Sequence, residues 1–347
     1  MSDESGVVLA PLVALIAVWA LTPGVIRIAR RTGFLDLPKG YKAHGKPTPY
    51  LGGVAVLGGI VAGMLAAGLA FGTGLGRFVP AVGCALALGV LGILDDRVTV
   101  RPLHRVLAEI TAAGVIVATG LGWDFLASDF EQFLLTALWL VGFTNAFNLM
   151  DNMDGAAGTV GAVCAGGIAV AALAGSDLAL ATFALAIGGA CVGFLRFNLR
   201  PGRKARIFLG DGGSMPLGFL IAVAAMQIPP DENVGWPILL GAGLMLGVLV
   251  LDTLLVVVSR TRRGVAVVTA GRDHLTHRLC ARLGSPVAVA AALALTQAGV
   301  SALGVAAIQV GRTSMIASAA ACVTAGALLI AILDSPAWAP PQEQTAS

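Results

Sequence analysis

The chain has 347 residues, of which 57% are hydrophobic and only 12% charged, with a mean hydropathy of +0.89 and a formal net charge of +3. A water-soluble domain carries about 25% charged residues, so the composition excludes one and points to an integral membrane protein. The five cysteines, Cys84, Cys164, Cys191, Cys280 and Cys322, include no C-x-x-C pair; they read as small buried hydrophobes and support neither a disulfide framework nor a zinc site.

A membrane span needs roughly 20 mainly apolar residues. Eleven candidates follow one another at 6–29, 51–71, 77–94, 105–122, 133–150, 157–174, 178–195, 214–229, 236–258, 287–310 and 314–333. The expected architecture is all-α: one polytopic membrane domain over 1–335, then a Pro-rich polar tail, 336–347, expected to be disordered. The acidic opening MSDESG lacks the basic region of a cleaved signal peptide, so the first run is expected to persist as a helix. No repeat of the inverted-repeat kind is visible.

The loops after spans 1, 3, 5, 7 and 9, with their flanks, carry 6, 3, 0, 5 and 6 Lys and Arg, or 20 of the 22; Arg77 and Arg312 fall on the other side. The positive-inside rule then places these loops in the cytoplasm, the N-terminus outside and the C-terminus inside. Such a basic face suits anionic ligands or anionic lipid.

Five polar stretches fall on that same side. DLPKGYKAHGKPTPYLGG (36–53) brings the cations Lys42, His44 and Lys46. LDDRVTVRPLHR (94–105) ends the third span in Asp95-Asp96. These read either as a turn, with Asp96 paired to Arg97 or Arg101, or as a coupled carboxylate pair suited to a base near neutral pH.

NAFNLMDNMDG (145–155) ends the fifth span. On a helix, Asn145, Asn148 and Asp151 recur every three residues and Asn152 follows Asn148 by four, giving a polar stripe. A carboxylate at a helix C-terminus opposes the macrodipole by roughly 0.3–1 kcal/mol. A bound cation would turn that clustered charge into a site; the plainer alternative is a polar helix exit with an Asn cap. FLGDGGSMPLGF (208–219) sets three glycines around Asp211 ahead of Ser214. Glycines let backbone N–H groups approach an anion at a helix start, although Asp211 as a mere cap is the competing reading, and the pattern is no P-loop.

Asp252 in the ninth span and Glu109 early in the fourth are intramembrane acids and hence candidate site residues; an ion pair of Asp252 with Arg260 is the structural alternative. Last, GRDHLTHRLCARLG (271–284) reads as a short amphipathic helix on Leu275, Leu279 and Leu283, capped by Asp273 and lying on the membrane with its basic side toward water. His274 and His277, flanked by Arg278 and Arg282, favour phosphate over metal.

At this point the sequence resembles the polyprenyl-phosphate N-acetylhexosamine-1-phosphate transferases, a family related to the phospho-MurNAc-pentapeptide translocase. The matching residues are Lys42, His44, Pro49, Gly52 and Gly53; Asp95-Asp96; N-x-x-N-x-x-D-x-x-D-G from Asn145 to Gly155; G-D-x-G-S from Gly210 to Ser214; and His274 to His277. The GlcNAc-1-phosphate branch has H-x-H-H where this chain has Thr276 in the middle position, and the three consecutive histidines of the translocase are absent.

The resemblance implies that a polyprenyl phosphate attacks the sugar-linked phosphorus of a UDP-N-acetylhexosamine, releasing UMP. It implies Asp211 and Asn148 as ligands of Mg²⁺, or of Mn²⁺ in its place, with Asp151 close by. Asp95 or Asp96 would deprotonate or orient the lipid phosphate, and Asp154 would order the nucleotide side. His274, His277, Arg278, Lys42 and Lys46 would hold diphosphate or sugar, with His44 and Asn145 on the substrate as well. It further implies a bacterial cytoplasmic membrane, a site facing the cytoplasm and a homodimer; no nucleic-acid partner is expected. A secondary carrier of an anionic solute is the other reading, needing groups near the bilayer midplane, where Asp252 and Glu109 qualify.

Overall fold

The structure, a computed structural model, describes residues 4–36, 47–72, 74–229, 235–267, 269 and 271–338. Lys42, His44 and Lys46 lie outside the described residues. Within them the chain forms α1 (Glu4–Thr32), β1 (Leu35–Asp36), β2 (Thr48–Pro49), α2 (Gly52–Phe71), α3 (Val79–Val98), α4 (Pro102–Ala118), α5 (Asp129–Met150), α6 (Ala156–Ala174), α7 (Leu178–Asn198), α8 (Asp211–Met226), α9 (Ile238–Leu244), α10 (Gly247–Arg262), α11 (Leu275–Leu283), α12 (Pro286–Val310) and α13 (Arg312–Leu333).

Among the described residues eight helices are long and apolar enough to cross a membrane: α1, α2, α3 with its preceding 3-10 turn, α5, α6, α7, α12 and α13. The protein is therefore an all-α, multi-pass membrane protein. The other three expected spans look different. α4 and α8 are short helices of 17 and 16 residues. The ninth is not one helix, because α9 and α10 meet at an angle of 82°. A break in apolar surroundings frees backbone groups that no water can satisfy. Gln297 of α12 supplies what is missing. Its amide donates to Leu244 O at 3.3 Å and Met245 O at 2.9 Å, and its carbonyl accepts from Val248 N at 2.9 Å.

Several helix ends follow from local chemistry. Ser128 and Asp177 cap α5 and α7 by accepting from Glu131 N and Leu180 N. Pro286 sits in the first turn of α12, where its missing N–H is no loss. Burial grades across the bundle. In α8 every residue from Gly212 to Met226 is buried, whereas the most apolar window of α13 is only 6% buried, as a lipid-facing helix would be. α8 packs against α2, α3, α5, α6 and α7, so its N-terminus, Asp211, is delivered to the middle of one end of the bundle.

Candidate active site

The ends of three helices meet there, and glycines allow the approach. A Cβ on Gly92 of α3 would fall 2.3 Å from Asp211 O, and one on Gly53 of α2 would fall 2.3 Å from Gly213 Cα. Gly210 has φ +73 and faces Asp96 Oδ2, a position that only glycine occupies without strain. The segment before α8 is also stitched to the start of α2, since Gly52 N and Gly53 N donate to Phe208 O and Leu209 O, each at 3.0 Å.

The paired carboxylates at the end of α3 do different work. Asp96 accepts from Asp211 N at 3.3 Å and Gly212 N at 3.4 Å. The anion at the start of α8 is thus the protein's own carboxylate, favoured by the helix dipole. Asp95 accepts from Val100 N at 2.6 Å and pairs with Arg105 Nη1 at 2.6 Å; the same nitrogen reaches Asp211 Oδ2 at 3.1 Å. The alternative of a plain turn, with Asp96 paired to Arg97 or Arg101, is not found among the described residues, and the Arg97 guanidinium lies over the Phe34 ring. Arg105 was missed by sequence reasoning. Three arginines follow the two acids, and the turn through Thr99 (φ +53) selects the one that returns.

The Asn/Asp stripe divides its side chains among neighbours. Asn145, expected on the substrate, turns its amide nitrogen to α4, donating to the buried Glu109 at 2.6 Å, and also donates to Val141 O at 2.9 Å. Asn148 lies against Asp211, yet its buried Nδ2 has no partner in hydrogen-bond geometry. Asp151, just past α5, lies near the Gly210 N–H and faces Asp211, Asp96 and Asp154. Desolvation, and then those carboxylates, push its carboxyl well above the usual range. Asp154 accepts from Ala205 N at 3.1 Å, and Asn198 holds Gly155 N and Ile207 O at 2.6 and 3.1 Å. Those two side chains fix the basic 199–206 loop to the motif. At the rim, burial and then a hydrogen bond to Asp36 raise the Tyr50 phenol, with Asp96 and Asp211 adding to the effect.

The histidine segment forms α11 as the leucine spacing requires, but not with its basic side in water. His274 and Arg278 are buried at 4% and 3% exposure. Asp273 is not the cap; His274 occupies that position. Asp273 instead takes two bonds from Arg260, at 2.9 and 2.7 Å, and one from Arg263 at 2.5 Å. Burial alone would raise its carboxyl, but the Arg260 guanidinium and then Arg263 hold it well below the usual range. Asp252 therefore pairs with His274 at 2.9 Å, not with Arg260.

Arg278 is committed to Asp273 O, Leu333 O, Ser259 and Asp334. That removes it as a free phosphate-binding fork and makes it a strut between α11 and the end of α13. His277 is lowered to about 4 by burial, then by His274 and Arg272, so it is neutral near pH 7 and not the expected cation. Thr276 donates its hydroxyl to Asn152, tying α11 to the Asn/Asp motif.

This fold and site define a class: a multi-pass membrane protein with a carboxylate cluster where helix ends converge at one face. The comparisons with known proteins narrow it. Residues 78–228, which contain Asp95, Asp96, the Asn/Asp motif and Asp211, match the model of glycosyl transferase family 4. The chain is 35% identical over 284 residues to a probable undecaprenyl-phosphate N-acetylglucosaminyl 1-phosphate transferase of Bacillus subtilis, covering 79% of this chain and 77% of the relative. To a decaprenyl-phosphate N-acetylglucosaminephosphotransferase of Mycolicibacterium smegmatis it is 31% identical, covering 93% and 87%. A phospho-N-acetylmuramoyl-pentapeptide-transferase of Shouchella clausii is 31% identical over 63% of this chain and 71% of its own. The chain belongs to glycosyl transferase family 4.

Proposed function

We propose that the protein transfers GlcNAc-1-phosphate from UDP-GlcNAc to a polyprenyl phosphate, yielding polyprenyl-diphospho-GlcNAc and UMP, the first membrane step of an envelope polysaccharide. A phosphate oxygen of the lipid attacks the sugar-linked phosphorus; the bond to the bridging oxygen breaks, and its electron pair leaves with UMP. The observation that carries this reading is the convergence of Asp95, Asp96, Asp151 and Asp211 with Asn148, in a chain whose relatives bear that activity in their names. Phosphoryl transfer chiefly needs positioning and charge neutralisation, and such a cluster offers both.

The donor set fits a hard cation. Among the described residues no cage of three or more His, Cys, Asp and Glu is preformed. Mg²⁺ does not need one, since it takes one or two carboxylates and completes its shell with water and substrate phosphate. Arg105 is bonded to Asp95 and Asp211 within the cluster, and beside Asp211 the Asn148 Nδ2 has no acceptor, so that side chain is not committed elsewhere by its amide and its carbonyl oxygen is the atom that can ligate a hard cation. Asp211 and Asn148 would hold Mg²⁺, or Mn²⁺ in its place, with Asp151 adjacent; the ion would neutralise the diphosphate and the charge growing on the leaving oxygen. Asp95, bonded to Arg105, orients the lipid phosphate, while Asp96 keeps the start of α8 in place. Asp154 anchors the loop on the nucleotide side. His274, His277, Lys42, His44 and Lys46 contact diphosphate or sugar. The site faces the cytoplasm of a bacterial inner membrane, where nucleotide sugars are made, and two copies form the working dimer.

An anionic-solute carrier finds no support, because its two candidate intramembrane acids, Asp252 and Glu109, are engaged by His274 and Asn145. The test is UMP release from purified protein with undecaprenyl phosphate, Mg²⁺ and UDP-GlcNAc. Release is expected with UDP-GlcNAc and not with UDP-MurNAc-pentapeptide, and to fall at least ~100-fold in Asp211→Asn. Full release in that variant would remove Asp211 from the site. Liposome uptake of a solute that survives both Asp211→Asn and Asp151→Asn would replace the enzyme by a carrier.

A further inference from the structure

The acid inside the broken ninth segment and the first histidine of α11 meet in the folded chain. Asp252 on α10 is fully buried and His274 is 4% exposed. Asp252 Oδ2 lies 2.9 Å from His274 Nδ1, and its Oδ1 accepts the Leu275 N–H at 2.7 Å. One carboxylate thus holds both the imidazole ring and the first backbone donor of α11. On the other side of the same helix turn, the Thr276 hydroxyl bonds Asn152. That bond keeps α11 beside the Asn/Asp motif, and the ring held by Asp252 belongs to the residue two positions before the one that makes it.

The chemistry of this contact fixes the proton. An ionised carboxylate only accepts, and burial requires that each oxygen find a donor. Leu275 serves one oxygen, and with Asp252 ionised His274 serves the other with Nδ1–H. The second ring nitrogen, Nε2, is then the one left for a ligand, as in buried carboxylate–histidine pairs generally.

We propose that Asp252 is a positioning residue: its bond to Nδ1 holds His274 in one tautomer and one orientation, leaving Nε2 to accept from or bind the donor substrate. This rests on the transferase reading above for what Nε2 meets, but the tautomer and the ring position are properties of the unliganded protein.

The experiment uses the full-length protein labelled with ¹⁵N-histidine, with the His274 signals assigned by their loss in His274→Gln among the four histidines. The wild type is expected to show His274 protonated at Nδ1. In Asp252→Asn the side-chain oxygen still accepts from Leu275, but the amide NH₂ now faces the ring and demands the opposite tautomer. UMP release by that variant is expected to fall about 10–100-fold, chiefly in kcat. Added to His274→Gln, Asp252→Asn is expected to cost less than about twofold more, because both act through one ring.

A wild-type His274 protonated at Nε2 alone would overturn the proposal, and so would losses that multiply in the double variant or a wild-type rate in Asp252→Asn. If Asp252→Asn does not fold, the wild-type tautomer still decides. Absence of UMP release in the wild type would count against the transferase reading and leave the tautomer result standing on its own.

Discussion

Arg105 stands between two carboxylates that would otherwise face each other across the start of α8. Two like charges near 4 Å repel by about 4 kcal/mol at an effective dielectric of 20, so its loss should disturb both Asp95 and Asp211. Arg105→Gln is expected to lower kcat/KM for UMP release about 100-fold, and Arg105→Lys, which keeps the charge, to recover most of it. Equal losses in the two variants would mean that geometry and not charge is what Arg105 provides. His277 gives a pH signature at the same scale. Its folded value of about 4 lies below the ordinary 6.5, so between those values the folded protein binds fewer protons than the unfolded chain. Stability therefore falls as pH drops from about 6.5 toward 4. Thermal unfolding in detergent at pH 7 and pH 5 should show a larger drop for the wild type than for His277→Gln; an equal drop would contradict the lowered value of this half-buried ring.

At the scale of elements, the site exists because helices α2, α3 and α8 come close enough for backbone to touch backbone. Gly92 is where α3 meets Asp211, and a methyl group there has no flexible neighbour to displace. Overpacking of this kind costs about 1–3 kcal/mol, and here it would also pull Asp96 away from the N–H groups of Asp211 and Gly212. Gly92→Ala is expected to lower the unfolding temperature and abolish most UMP release. Gly68→Ala in α2, where a Cβ meets nothing within 4 Å, is expected to be neutral or stabilising by up to about 1 kcal/mol. A Gly92→Ala protein with normal activity would show that the contact between α3 and α8 is not what aligns the cluster. The broken segment follows the same logic, since α9 and α10 can part only because Gln297 satisfies the carbonyls and the amide that the break releases.

Over the whole molecule, the two ends of the bundle differ in chemistry. One carries the carboxylate cluster, the 199–206 loop and α11. The other carries the Arg77–Asp177 pair and the Gln227–Leu121 contact. With 20 of the 22 Lys and Arg allotted to the first end by sequence, that end should face the cytoplasm. In a variant whose native cysteines are replaced by Ser, a cysteine at Arg203 should react with a membrane-impermeant maleimide only after permeabilisation, and one at Asp124 in intact cells. The reverse pattern would place the site outside and remove the access to nucleotide sugars on which the proposed reaction depends.

The sequence by itself determined the class of this protein. Long apolar runs have no stable place but a membrane, the leucine spacing of 275–283 can only make a helix with one apolar face, and the motif residues Asp95, Asp96, Asn148, Asp151 and Asp211 were legible because carboxylates and amides are too costly in apolar surroundings to be there without a reason. What the tertiary structure decided is who pairs with whom. Arg105 rather than Arg97 or Arg101, His274 rather than Arg260 for Asp252, Glu109 for Asn145 and the buried strut of Arg278 all depend on distances between residues far apart in the chain. The ninth segment looked continuous because hydropathy records length and polarity, whereas the break depends on a glutamine about fifty residues away. Local pattern sets which residues are polar and which faces are apolar; partner choice for a buried charge is settled by which opposite group the packing brings within about 3 Å, and no periodicity carries that information.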